Sequence, residues 1–246
     1  RAGDKANAAR DFAEAVRLDP DKDEYRLTQA ALLSDEGDSV AAAKLLLGAN
    51  HTDETLAAAA AYAARANDKA LMADAYAALR KLPEPRPDAR LELLGQMAEL
   101  LEHDEEALAW YGEVSRGERW LDSQLRIPVL LDNLGREKEA FAHLDGLRAG
   151  GIQDDEKLAD SFLLEGELLT RHKRPEQAVA VHTRGLQALP DERRLLYARA
   201  LTFEQLGRQD EAERDLRRIV ELDPKDADAM NALGYTLADH NHSLEE

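Results

Sequence analysis

The sequence has no cysteine, and aromatic residues make up only 5% of it. The first absence excludes disulfides and thiolate metal ligands, and it leaves the redox compartment open. No apolar run approaches the roughly 20 residues that a membrane-spanning helix needs, so this segment is not expected to insert into a bilayer. Positive charge is also in deficit. Lys and Arg number 32 against 50 Asp and Glu, a formal net charge of −18. Such a surface repels phosphate backbones and anionic headgroups, which argues against nucleic-acid partners. No glycine-rich phosphate loop, nucleophile elbow or metal-ligand spacing stands out either. The expectation is a chain with no catalytic residues, no metal and no cofactor, not an enzyme.

What the sequence does have is alanine, in a composition that is 44% hydrophobic and 33% charged. Alanine is the best helix former, and the β-branched Val and Ile are scarce, so the composition points to an all-α protein whose helices approach through small side chains.

Self-similarity is clearest over 193–226, where two amphipathic helical stretches divide at Leu206-Gly207-Arg208 and the unit closes on Asp223-Pro224. The preceding segment has the same layout: Gly166 matches Ala200, Ala178 matches Ala212, and Pro190 matches Pro224. The spacing of about 34 residues is that of one known class of helical repeat. Gly234 continues the register beyond Ala200. Gly166, Ala200 and Gly234 lack bulk, which predicts that the two helices of a unit approach closely there. Leu195, Leu196, Leu201, Phe203 and Leu206 form the apolar stripe of the first helix, and Ala212, Leu216, Ile219 and Val220 that of the second.

A small residue in the first helix, glycine before the second, alanine within it and a closing proline together resemble the tetratricopeptide repeat. That resemblance implies antiparallel helix pairs stacked into a right-handed α-α superhelix, a solenoid. Upstream the pattern persists in weaker form. Leu134-Gly135-Arg136 with Ala140 and Leu144 marks a unit at 121–158, extended by Gly150-Gly151. Leu94-Gly95 with Ala107 and Tyr111 marks 88–120. The alanine-rich stretch with Tyr76 and Leu79 marks 53–87, and a shorter unit turning at Gly37-Asp38 marks 23–52. Pro128 replaces the small residue in its unit and is expected to bend that helix or delay its start. Repeats 159–192 and 193–226 follow. Residues 1–22 read as the second half of a repeat and 227–246 as the first half of another, so a single solenoid fragment of a longer array is expected.

The acidic runs Asp19 to Glu24, Asp104 to Glu106 and Asp154 to Glu156 lack calcium-loop spacing and sit near helix starts, where carboxylates cap amides. His240 and His242, two residues apart, would diverge on a helix and make a poor metal pair. Trp110 and Trp120 bracket a junction and suit either packing between repeats or partner contact.

The resemblance also implies a ligand groove lined by outward positions of each first helix. In the three best-registered units these are Leu163, Glu167 and Arg171, then Tyr197, Leu201 and Gln205, then Asn231, Tyr235 and Asp239. The tyrosines can grip a peptide or pack against the adjacent repeat, and both readings stand. The basic clamp by which some family members hold a carboxylate-ended peptide is missing.

The stretches Trp120 to Arg136 and Asn231 to Asp239 are similar to bacterial tetratricopeptide lipoproteins of the outer membrane, among them an adaptor for a periplasmic carboxy-terminal processing protease. That similarity implies a non-catalytic scaffold, anchored to the outer membrane in the periplasm, which presents cell-wall hydrolases to the protease. A cytoplasmic assembly or secretion scaffold, and the substrate-recognition arm of a larger enzyme such as a repeat-bearing glycosyltransferase, are the alternatives.

Overall fold

The computed structural model describes residues 2–19, 22–48 and 51–239, and every regular element among them is an α-helix. In chain order these are α1 (Ala2–Leu18), α2 (Asp23–Asp35), α3 (Ser39–Leu47), α4 (Asp53–Arg65), α5 (Lys69–Arg80), α6 (Asp88–Leu100) and α7 (Asp104–Glu113). There follow α8 (Trp120–Asn133), α9 (Glu137–Ala149), α10 (Asp155–Arg171), α11 (Pro175–Ala188), α12 (Arg193–Gln205), α13 (Gln209–Leu222) and α14 (Ala227–Asp239). The chain divides into two compact units, 1–123 and 124–246, and the division falls inside α8.

In the first unit each helix from α1 to α7 packs on the next, and α2, α3 and α4 also touch α4, α5 and α6 respectively. In the second unit the same succession runs from α9 to α14, and α10 also touches α12. Contacts to the neighbour and the next-but-one neighbour are the signature of helix hairpins stacked in a row.

One turn builds these hairpins six times. The backbone enters the left-handed region at Gly37, Asn67, Glu102, Gly135, Lys173 and Gly207, with φ between 51 and 95°. Each of these residues donates its N–H to the carbonyl three residues back, and the next residue donates to the carbonyl five back, as in Asp38 to Leu33 and Arg208 to Phe203. This paired closure satisfies carbonyls that a helix end would otherwise leave orphaned. Seven residues before each turn stand Ala30, Ala60, Gly95, Pro128, Gly166 and Ala200, all buried. Five residues after it stand Ala42, Met72, Ala107, Ala140, Ala178 and Ala212, likewise buried.

The close approach expected at the small position is made at Gly95, where a Cβ would stand 2.6 Å from the Tyr111 ring, and at Gly166, where it would stand 2.0 Å from His182 Nε2. Gly234 departs from that expectation: it is exposed, and a Cβ there would meet nothing within 4 Å. Smallness matters where a second helix lies against the position, and among the described residues none does at Gly234.

Pro128 lies inside α8, which begins at Trp120 with no delay. Proline offers no N–H to the carbonyl four residues back, that of Gln124. The His143 ring on α9 hydrogen-bonds the Gln124 backbone, so a tertiary donor replaces the missing intrahelical one.

Of the three acidic runs, the last caps its helix by hydrogen bonding: Asp154 accepts from the amides of Glu156 and Lys157. The other two put Asp23 and Glu24, and Asp104 to Glu106, into first turns whose N-caps, Lys22 and His103, make no side-chain cap bond. Those carboxylates complement the helix dipole instead. Asp38, Asp68 and Thr52 cap α3, α5 and α4.

Candidate functional site

The proposed groove residues all belong to the second unit, on α10, α12 and α14. Buried ion pairs fix how α12 faces: Arg199 makes two bonds of 2.7 Å to Asp215 on α13 and one of 3.0 Å to Thr183 on α11. With Arg199 turned inward beside the buried Leu195, Leu196, Ala200 and Phe203, the helical period leaves Leu201 and Gln205 on the solvent side. The same logic holds on α10, where buried Glu165 pairs with Arg148 of α9 and with Arg184 of α11 at 3.0 Å. Glu167 and Arg171 are then exposed one turn apart.

The two tyrosines differ. Tyr197 is half-buried and packs against the hydrophobic core of the unit, as does Leu163. Tyr235 is 72% exposed and Leu201 45%. Glu167 and Arg171 are engaged, since Arg171 bonds Glu167 at 3.3 Å and Asp132 at 3.1 Å. Asn231 is exposed. Asp239 ends α14, and its side chain lies outside the described residues, as do His240 and His242.

The two tyrosines line different clefts. Tyr197 lines a cleft of about 710 Å³ together with Arg193, Arg194, Asp226, Asp228 and Ile219. Tyr235 lines a second of about 520 Å³ with Glu204, Gln209, Thr236 and Ala238. The polar side chains that shape these clefts were missed in the sequence reading. Arg194 reaches Asp160 on α10 at 2.7 Å, and Thr236 Oγ1 donates to Glu204 at 2.5 Å. A signal existed for one set: Asp160, Arg194 and Asp228 recur at the repeat spacing, one turn before Leu163, Tyr197 and Asn231. The Glu204 and Thr236 pairing had no such signal.

Among the described residues no group of three His, Cys, Asp or Glu side chains could hold a metal ion, and no helix is long and apolar enough to cross a membrane. His182, the most buried of the described histidines, faces Gly166 inside the core and lines neither cleft. In the first unit Trp110 of α7 donates from Nε1 to the Tyr76 hydroxyl of α5 at 2.8 Å, and Tyr76 donates to Glu106 at 2.7 Å. Burial, with the Glu106 hydrogen bond second, pushes the Tyr76 phenol up to about 12. Trp110 thus joins one hairpin to the next, and the Arg86 guanidinium lies 5.2 Å from its ring centre. Trp120 is half-buried, with Arg116 4.8 Å above its ring.

Residues 193–236 match the family model described as "Tetratricopeptide repeat". The TPR repeat-containing protein PA4667 of Pseudomonas aeruginosa is 35% identical over 146 residues, which cover 59% of this chain and 24% of that protein. The chain therefore spans about a quarter of the length of this curated relative. Among solved structures, MamA of Desulfovibrio magneticus RS-1 is 18% identical, with a TM-score of 0.45 over 63% of this chain and 86% of that one. YrrB, titled a TPR protein with an unusual peptide-binding site, is 15% identical, with a TM-score of 0.41 over 90% of this chain and 96% of that one.

Proposed function

We propose that this tetratricopeptide-repeat protein is a non-catalytic adaptor, and that the second unit holds partner proteins along the outward faces of α10, α12 and α14. Tetratricopeptide repeats support an interaction scaffold in general. The observation that carries the more specific site is the exposure of Tyr235 and Leu201, large side chains on neighbouring first helices. An exposed aromatic with a polar tip gives contact area at low conformational cost and is favoured where proteins meet.

The finer reading is that the protein works in the bacterial periplasm, anchored at the outer membrane, and presents cell-wall hydrolases to a carboxy-terminal processing protease. Its support is the similarity of residues 120–136 and 231–239 to outer-membrane tetratricopeptide lipoproteins.

Affinity capture tests both levels. The 246-residue chain is used as bait on envelope and cytoplasmic fractions of its host, beside a variant carrying Tyr197→Ala and Tyr235→Ala, and retained proteins are identified by mass spectrometry. Recovery of a processing protease with cell-wall hydrolases, reduced in the double variant at unchanged helicity, is the expected result. Capture of cytoplasmic complexes alone discards the periplasmic reading. Equal capture by the double variant discards the groove.

A further inference from the structure

Glu204 in the second cleft differs from Asp132, Asp160 and Glu165, three other acidic residues on first helices. Asp132 is paired with Arg171, Asp160 with Arg194, and Glu165 with Arg148 and Arg184. Glu204 is half-buried on α12, the one described bond of its side chain is the 2.5 Å one donated by the Thr236 hydroxyl of α14, and no cation among the described residues meets it. The hydroxyl, which also lies 3.0 Å from the Ala232 carbonyl, holds one carboxylate oxygen in place and brings no charge to it. Beside it stands the exposed ring of Tyr235, in a cleft of about 520 Å³. Two other rings in this unit are covered by cations: Arg148 lies 4.7 Å from the centre of Phe162, and Arg208 4.6 Å from that of Phe203. Tyr235 has no such cover among the described residues.

From this geometry we infer that the cleft between α12 and α14 receives a lysine or arginine side chain of a bound protein segment. The cation pairs with Glu204 and rests against Tyr235, and an adjoining aliphatic side chain lies on Leu201. This deepens the groove reading and rests on it. A fixed carboxylate beside an aromatic face is the pairing that selects an alkylammonium or guanidinium group, because ion pairing and the negative face of the ring attract the same charge. The alternatives are disfavoured on the same ground. An acidic segment meets Glu204 and a chain of formal charge −18, and a purely apolar one leaves the carboxylate desolvated without a partner. The net charge also speeds encounter with a basic segment, an effect that salt weakens.

The probe is a fluorescein-labelled peptide, Gly-Ser-Leu-Lys-Leu-Ser-Gly, titrated with the 246-residue chain and read by anisotropy. A second peptide carries acetyl-lysine in place of lysine, which removes the charge and keeps the length. Binding of the lysine peptide is expected, with a loss of about tenfold on acetylation and a similar loss for Glu204→Gln, the scale of one charge-assisted hydrogen bond. Acetyl-lysine against Glu204→Gln should lose little further, because both changes remove the same interaction. The glutamine amide oxygen still accepts from Thr236, and Tyr235→Ala alters an exposed side chain, so both variants keep the fold, which circular dichroism checks. Equal binding of the two peptides, with both abolished by Tyr235→Ala, overturns the cation pocket and retains the groove. Binding that neither variant weakens overturns both. No binding of the lysine peptide at about 1 mM, the weak end of specific affinities, overturns the cation pocket.

Discussion

His143 on α9 is hydrogen-bonded to the backbone of Gln124 on α8, at the carbonyl that Pro128 leaves without a donor. Burial pushes the imidazole below its ordinary value, so the ring stays neutral with one N–H to give. His143→Ala should cost about 1–3 kcal/mol, the usual penalty for an orphaned buried acceptor. In a Pro128→Ala background the backbone supplies its own donor, and the loss should shrink. Urea midpoints of the four proteins make the cycle, and additive losses count against the coupling.

Gly166 and His182 form a second coupled pair, because the imidazole occupies the space that a Cβ at 166 would need. Alanine at 166 favours the helix by about 1 kcal/mol, but overpacking a filled core costs about 1–3. Net destabilisation is expected for Gly166→Ala, since the His182 ring is enclosed. At the matching positions of the next repeat stand Ala200 and Leu216, both buried. A raised melting temperature in Gly166→Ala would show that the ring moves aside freely.

His182 also makes stability depend on pH. Desolvation pushes its imidazole from the ordinary 6.5 down to about 4, and the Arg199 guanidinium adds repulsion. The folded chain keeps the ring neutral where the unfolded chain protonates it. Stability from this group is therefore complete above pH 6.5 and declines as pH falls from there towards 4. By pH 5 the loss is about 2 kcal/mol. His182→Leu places at 182 the residue found at the matching positions 144 and 216. Between pH 7 and 5 its urea midpoint should fall less than that of the natural protein, and parallel curves would remove His182 as the cause.

The repeat could be read from the sequence where its marks are compositional. Alanine or glycine at 166 and 200, alanine at 178 and 212, and glycine at 135 and 207 placed the helices because small residues and left-handed turns restrict residue choice strongly. The same turn is made by Asn67, a residue type that tolerates the left-handed region, and by Glu102 and Lys173, which carry no such mark and are held there by the two closing hydrogen bonds. In the repeats at 53–87 and 88–120 the turn is therefore made without a glycine. The groove positions came with the resemblance to the repeat family, but their exposure did not: Tyr197 and Tyr235 differ in burial because Tyr197 packs against the core and Tyr235 does not.

The sequence by itself determined the helical class, the repeat period and the faces that pack, since each depends on propensity and on periodicity within a few turns. Tertiary structure alone decided that His143 attends the carbonyl freed by Pro128, that His182 fills the space over Gly166, and that Thr236 holds Glu204 beside an open ring. Each of these joins residues on different helices, and the energy lies in desolvation and hydrogen-bond geometry, which depend on what surrounds an atom and not on its place in the chain.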